Sequence, residues 1–348
     1  MKMQQIIENH WYQKDKFVIR LLLNLFLIPI SLIFYLITKI RYFCYQTSIL
    51  KSYKLPVPVV IVGNITVGGS GKTPLTKHIA KELARNNIKV GIILRGYKSS
   101  ALIPQIVTKN DDVTQVGDEA LIYANNNIPV AIGRNRYQAG LVLLKEHPDI
   151  QIILSDDGMQ HYRLQRDFEI AVIDISRILG NRFTIPNGPL RETVNRLKKT
   201  NAIVVNTQER ITSSWFYNNL KLSHIDLQNQ LLLSQKLVLY RIYNPITKEV
   251  LLISAAKNKN IVAIAAIGNP KRFFNFIENS GVVLSHTIEF PDHHFYLHSD
   301  IPTNYDIILT SDKDYTKLAK FNNNIIWVVE VSSLLSNESL VNKIMELK

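Results

Sequence analysis

Cysteine is almost missing from this chain: Cys44 stands alone among 348 residues. One thiol forms neither an internal disulfide framework nor a cysteine zinc cluster, and a reducing compartment follows as the setting. C-x-x-C and H-E-x-x-H spacings are both absent, which removes the usual zinc patterns. Acidic residues are scarce, with 28 Asp and Glu against 41 Lys and Arg, a net charge of +13. Such a balance calls for an anionic partner: nucleic acid, a membrane surface or an acidic small molecule. Fixed-period repeats and low-complexity tracts are missing too, so a solenoid or a disordered chain is not expected. At 46% hydrophobic and 20% charged residues, the composition is globular. The length exceeds one ordinary core and points to two domains, or to one domain with a large insertion.

Charge is also absent from one stretch near the N-terminus. "LLLNLFLIPISLIFYLIT", Leu21 to Thr38, runs 18 residues without a formal charge, the lower limit for spanning a bilayer. Asn24 and Pro29 lie near its middle. Lys14, Lys16 and Arg20 precede it and Lys39, Arg41, Lys51 and Lys54 follow, so the positive-inside rule gives no orientation. The run starts late and ends at no small-residue cleavage site, unlike a signal peptide. A spanning helix and an ordinary buried helix are the alternatives to the favoured reading. That reading is an in-plane or partly inserted anchor whose basic flanks meet an anionic membrane surface. The remaining basic residues are scattered rather than gathered into a stripe with interleaved aromatics, so nucleic acid is not the expected partner.

Beyond the anchor, "PVPVVIVGN" reads as a buried strand that enters a glycine-rich loop, and "KTPLTKHIAKELARNN" reads as a helix with Leu75, Ile79 and Leu83 on one face. Apolar runs at 88–97, 128–133, 150–158, 168–175 and 201–206 read as strands, with helical patterns at 117–127 and 134–147. Alternation of fully apolar strands with helices predicts an α/β fold, a parallel sheet covered on both faces. "QNQLLLSQKLVLYRIYNP" and "KEVLLISAAKNKN" read as paired strands around a turn at Asn244-Pro245. From Ile261 onward a second, smaller α/β unit is expected. The implied division is an anchoring helix within 1–50, a phosphate-loop core at 51–225, a strand linker at 226–258 and a C-terminal α/β domain at 259–348.

Four motifs carry chemistry. The spacing G-x-x-x-x-G-K-[ST] places its first glycine at Thr66, yet strand, glycine loop and helix are all present. Thr66, Val67, Gly68, Gly69, Ser70, Gly71, Lys72 and Thr73 are therefore the expected nucleotide-binding residues. Their backbone N–H groups and the helix N-terminus suit phosphate, Lys72 suits the β- and γ-phosphates, and the Thr73 hydroxyl suits magnesium. In "ILSDDGMQH", Asp156 and Asp157 end an apolar strand, where a carboxylate pair beside a phosphate loop points to Mg2+. In "VGDEA", Asp118 opens a predicted helix, and on its own it reads as a cap. In "EFPDHHF", His293 follows a strand of the second unit; it reads equally as a structural residue or as a group that orients or relays a proton.

Together these residues resemble the tetraacyldisaccharide 4'-kinase family, over nearly the whole chain. The resemblance rests on "GNITVGGSGKTP", "RGY" (95–97), "VGDE" (116–119), "GRNR" (133–136), "SDDGMQH" (155–161), "NGPLRE" (187–192), "GNPKRFF" (268–274), "FPDHH" (290–294) and "TSDKD" (310–314). The family also lacks the first loop glycine. Ala120, Lys98 and Met159 depart from its usual proline, glycine and aromatic, which bears on loop rigidity and packing. The resemblance implies transfer of the γ-phosphate of ATP, with Mg2+, to the 4'-hydroxyl of an acylated glucosamine disaccharide 1-phosphate in lipid A biosynthesis. It further implies two α/β/α domains joined by a two-stranded linker, at the cytoplasmic face of the bacterial inner membrane. Asp118 would be the catalytic base, His293 a second catalytic group across the cleft, Lys72 a phosphate-binding catalytic residue, and Thr73, Asp156 and Asp157 the magnesium region. The competing class is a membrane-associated P-loop ATPase acting as a switch or scaffold, which predicts hydrolysis without a lipid acceptor.

Overall fold

The structure, a computed structural model, describes residues 3–207, 209, 211–220, 226–227 and 229–348. The expected core-to-linker boundary at 225 lies outside the described residues, as do the first two residues of the expected anchor segment. Two helices come first, α1 (Met3–Trp11) and α2 (Phe17–Gln46). A first α/β unit follows: β1 (Val59–Gly63), α3 (Lys72–Arg85), β2 (Val90–Leu94), β3 (Gln105–Val107), α4 (Val113–Val116), α5 (Asp118–Asn125), β4 (Val130–Ile132), α6 (Arg136–Glu146), β5 (Ile152–Asp156), β6 (Phe168–Asp174) and β7 (Ala202–Asn206). Next come α7 (Ser213–Asn219), the long β8 (Leu231–Tyr243), β9 (Val250–Leu251) and α8 (Ile253–Ala256). The second unit holds β10 (Ile261–Ala265), α9 (Pro270–Asn279), β11 (His286–Glu289), β12 (Ile307–Ser311), α10 (Asp312–Leu318), β13 (Ile326–Leu335) and α11 (Ser339–Met345).

The strands join in one sheet, ordered β11-β10-β12-β13-β8-β7-β6-β1-β5-β2-β4-β3, with β9 alongside β8. From β7 to β4 every pairing is parallel, and β3 closes that edge antiparallel. Both faces of these strands are covered, which is why they read as unbroken apolar runs. In β1, Val60 and Val62 join Leu75, Ile79 and Leu83 of α3 in one core. Val59 and Ile61 point the other way, into a second core with Ala139 and Leu143 of α6. Each such fully buried aliphatic side chain contributes roughly 1.5–3 kcal/mol.

β8 couples the two units. Its first five residues run parallel to β7, and Gln235 to Tyr243 run antiparallel to β13. The expected pairing of 231–243 with the segment after Pro245 is confined to Ile242–Leu251 and Tyr243–Val250. Ile253–Ala256, read from sequence within a strand, turns into the short α8 instead. The long partner of β8 comes from the chain's far end. Charged side chains then fasten unit to unit: Lys77 of α3 reaches Asp312 at 2.8 Å and Glu330 at 3.4 Å, while Lys81 and Arg241 also reach Glu330. Arg272 of α9 bonds Asp174 at the end of β6.

α2 stands apart from these cores. It is 30 residues long, roughly 45 Å at about 1.5 Å per residue. It contains Pro29, and its most apolar 18-residue window has a mean hydropathy of 2.4 with only 6% of it buried. Length and composition suffice for crossing a membrane. Ser31 is its one buried residue among those described, because its hydroxyl donates to the Thr184 carbonyl at 2.7 Å. α1 is clasped to the same segment: buried His10 lies 3.0 Å from Asn187, and the Trp11 indole donates to the Pro186 carbonyl at 2.8 Å.

Candidate active site

The unusual front of the phosphate loop has a physical cause. Thr66 lies in a bridge with Leu190, the Val67 N–H donates to the Pro189 carbonyl at 2.9 Å, and the Arg191 N–H donates to the Ile65 carbonyl at 2.7 Å. The "NGPLRE" segment thus holds the first half of the loop as extended backbone, where no glycine is needed. Buried Asn64 braces the loop from below, with its amide 3.2 Å from the Ser70 hydroxyl. Glycine is required later. Gly71 has φ +88°, and a Cβ there would fall 2.6 Å from the Gln235 amide and 3.0 Å from that of Asn206. Gln235 donates to the Gly71 carbonyl at 3.1 Å, so the strand linking the two units also touches the loop.

α3 starts at Lys72, with Pro74 in its first turn, where a missing N–H leaves no bond unmade. The Thr73 hydroxyl donates to Asp156 Oδ2 at 3.2 Å, and the Tyr123 hydroxyl donates to the same oxygen. Asp156 ends β5 and is buried; burial pushes its carboxyl up, partly offset by the Tyr123 bond and the Lys72 charge. Asp157 differs in kind. Its backbone is left-handed, at φ +50°. Arg191 Nη1 lies 3.0 Å from both its carboxylate oxygens, and Lys72 Nζ lies 3.3 Å away. Burial would raise this carboxyl, but the Lys72, Arg191 and Arg136 charges outweigh it and hold it well below the usual range. Buried Arg136 donates to the Ser155 hydroxyl at 2.7 Å and the Asp157 carbonyl at 2.9 Å, fixing the turn between strand and loop.

Asp118 is not a cap. Gly117 takes the N-cap position of α5 at φ +85°, where a Cβ would lie 2.7 Å from the Tyr97 carbonyl. Asp118 is the first helical residue, 5% exposed, and its Oδ2 lies 2.8 Å from His293 Nδ1 of the second unit. Lys313, in the first turn of α10, places its ammonium 3.2 Å from His293 Nε2, 3.2 Å from Asp292 and 3.9 Å from Asp118. Burial pushes the Asp118 carboxyl up; the bond to His293 and the Lys313 charge reverse this and hold it below the ordinary value. α5 therefore faces both centres, with Asp118 at its start and Tyr123 against Asp156.

Glu119 lies between the two centres. Burial first, then the charge of Asp156, pushes its carboxyl up to about 7. A raised folded-state value favours the fold below the ordinary carboxylate range, and this contribution is lost as pH rises through about 7. Glu119→Gln is therefore expected to stabilise the ligand-free protein by about 2–3 kcal/mol at pH 8, with the gain vanishing toward pH 5. Thermal unfolding of both forms at the two pH values checks this; equal gains at both would mean that the charge is not responsible.

The expected residues thus fall into one connected region: 66–73 as the loop, Asp156 and Asp157 at its rim, and Asp118 with His293 across the cleft. The motif residues Arg136, Arg191 and Lys313 were quoted in the sequence but given no task there. Tyr123 was missed; its only signal was helical spacing, four residues after Glu119 on the same face.

Comparison with known proteins supplies the family. A profile described as tetraacyldisaccharide-1-P 4'-kinase matches residues 23–347. The tetraacyldisaccharide 4'-kinase of Chromobacterium violaceum is 37% identical over 339 residues, covering 95% of each chain. That of Pasteurella multocida is 38% identical over 319 residues, covering 90% of this chain and 92% of its own. The crystal structure of LpxK from Aquifex aeolicus in complex with ATP superposes with a TM-score of 0.77 at 26% identity, covering 92% of this chain and 98% of that one. With its shifted phosphate loop and the Asp118–His293 contact in place, this chain belongs to the tetraacyldisaccharide-1-P 4'-kinase family.

Proposed function

We propose that this chain transfers the γ-phosphate of ATP to the 4'-hydroxyl of a tetraacyldisaccharide 1-phosphate, the kinase step of lipid A biosynthesis, by the following division of labour. Residues 66–73 cradle the phosphates, and Lys72 turns from Asp157 to the transferring group. Asp118 takes the hydroxyl proton on Oδ1, since Oδ2 is engaged by His293. The hydroxyl oxygen forms a bond to the γ-phosphorus as the bond to the bridging oxygen breaks, and ADP leaves with that electron pair. Positioning and charge supply most of the rate in such transfers, and no protein nucleophile is needed. The observation that carries this reading is α5, which presents a base at one end and touches the phosphate loop's carboxylate one turn later.

Magnesium fits the residues present. The Thr73 hydroxyl donates to Asp156, which leaves its lone pairs free for a cation. No group of three or more His, Cys, Asp or Glu suited to a metal occurs among the described residues. Mg2+ is usually held by one or two protein ligands plus phosphates and water, so Thr73 and Asp156 suffice. Bound there, it would neutralise charge on the β- and γ-phosphates. Asp157, tied to Lys72 and Arg191, would hold the lysine beside the loop until the phosphates of a bound nucleotide draw it away.

The test is an assay of the full chain in detergent micelles with ATP, Mg2+ and the disaccharide 1-phosphate lipid. ADP release should require the lipid and match its phosphorylation; release indifferent to the lipid would favour the ATPase switch. The exposed apolar flank of α2 is read as seated in the membrane, with the cleft on the ATP-containing cytoplasmic side and the surplus positive charge toward anionic headgroups. Leu25→Glu with Leu32→Glu alters two exposed positions. Each charge near a bilayer centre costs about 2.5–3.5 kcal/mol. Vesicle sedimentation should fall at least tenfold while activity on micellar substrate persists; unchanged sedimentation would remove α2 as the anchor.

A further inference from the structure

We propose that Arg177 is a further catalytic residue of the transfer: its guanidinium, held against Gly68 of the phosphate loop, donates to the non-bridging oxygens of the γ-phosphoryl group as that group leaves ADP. The inference rests on the kinase reading above and adds a cation on the flank of the loop opposite Asp156 and Asp157.

The sheet sets the approach. β1 runs between β5 and β6, so the loop that follows it has the carboxylates of β5 on one side and the turn after β6 on the other. Arg177 stands in that second turn, and the turn is fixed. The Asp174 carboxylate accepts from the Ser176 N–H at 3.0 Å and the Ser176 hydroxyl at 2.8 Å. The Asp174 carbonyl accepts from the N–H groups of Arg177 at 3.2 Å and Ile178 at 2.8 Å. From there the side chain reaches the loop at Gly68, whose φ is +98°. A Cβ on Gly68 would collide with Arg177 Nη1 and lie 3.6 Å from its Cζ, so a larger residue would push the guanidinium away.

Arg177 differs from the other cations at the loop in what it is paired with. Lys72 and Arg191 both meet the Asp157 carboxylate, and Arg136 holds the Asp157 carbonyl. Arg177 enters no ion pair among the described residues, and the Asp174 carboxylate beneath it is engaged by Arg272. Its guanidinium lies instead over the ring of Tyr12, 6.0 Å from the centroid. Tyr12 follows α1, which is clamped to the same loop: the Trp11 carbonyl accepts from the Asn181 N–H at 2.8 Å, and the Trp11 indole donates to Pro186. A ring face holds a guanidinium without neutralising it and leaves its in-plane N–H donors available. Such a fork, touching a loop built for phosphate, suits an anion with several oxygens on one centre.

The chemistry follows from that placement. As the acceptor oxygen bonds to the γ-phosphorus, the bond to the bridging oxygen breaks and its electron pair leaves with ADP. The three non-bridging oxygens keep their negative charge throughout, and Arg177 donates N–H to them without giving up a proton. A contact that strengthens only in the transition state raises kcat and leaves ATP affinity alone.

The full chain in detergent, with ATP, Mg2+ and the disaccharide 1-phosphate lipid, tests this. Arg177→Ala should lower kcat by about 10³-fold, the scale for an arginine at a transferring phosphoryl group, while the KM for ATP moves by less than about threefold. Aluminium fluoride with ADP and the lipid mimics the group in flight. The variant should bind that combination about 10²-fold more weakly than the wild type, yet bind ADP alone equally well. Arg177→Lys keeps the charge and loses the fork, so it should recover only part of kcat; it also carries the comparison if Arg177→Ala does not fold. Equal weakening of ADP alone and of the mimic would overturn the proposal, making Arg177 a ground-state binder. An unchanged kcat in either variant would overturn it outright. Failure of the kinase reading shows itself separately, as wild-type ADP release indifferent to the lipid, and Arg177→Ala should slow that release as well.

Discussion

Asp118→Asn is expected to lower kcat by about 10²–10⁴-fold, the range for loss of a general base, while the KM for ATP stays within about twofold. The amide keeps the size of the carboxylate and still accepts a hydrogen bond from His293, so the fold and the closure of the second unit onto α5 should survive. What it cannot do is take a proton at neutral pH. Steady-state kinetics with the lipid acceptor, beside ATP binding by calorimetry, separates the two effects. A variant with near-normal kcat would remove Asp118 as the base, and one that lost ATP affinity would place the residue in nucleotide binding instead. Because the neighbouring His293 and Lys313 hold this carboxyl below its ordinary value, it is already ionised through the neutral range.

Lys72→Met should cost about 10³-fold in kcat/KM, the scale for removing one charged donor from a phosphoryl-transfer site. The stem length is preserved and only the ammonium goes. Asp157 retains Arg191 at 3.0 Å and the nearby Arg136, so no buried carboxylate is left stranded, and the melting temperature should change by only a few degrees. Kinetics and thermal unfolding on the same preparation check both halves of the expectation. A large drop in stability with modest kinetic loss would recast Lys72 as a structural partner of Asp157.

Much of this site was legible before any coordinates. The strand-loop-helix around Lys72 and Thr73 declares itself because phosphate binding is local: backbone N–H groups, a helix start and a lysine lie within eight residues. The carboxylates at the end of β5 were legible for the same reason, since a buried parallel strand announces where it stops. Asp118 was ambiguous because its partner lies 175 residues away. An acidic residue opening a helix looks the same from sequence whether it caps that helix or faces a histidine. Lys313 lay within a quoted motif but drew no role, as a lysine in the first turn of a helix is ordinarily solvated. The β8–β13 pairing escaped for a related reason: local periodicity shows that both segments are strands, not which strand each one meets.

The sequence by itself determined the α/β alternation, the apolar helix at the N-terminus, the nucleotide loop and the acidic strand end, because each depends on neighbours within one or two turns of chain. Only the tertiary structure decided why Thr66 can replace a glycine, since the reason is a backbone bridge to Leu190 more than a hundred residues away. It also decided that the strand linking the units is completed by β13, and that His293 and Lys313 arrive over Asp118. Those outcomes depend on side chains brought together by burial of two cores and by ion pairs between units, and no spacing along the chain encodes such distances.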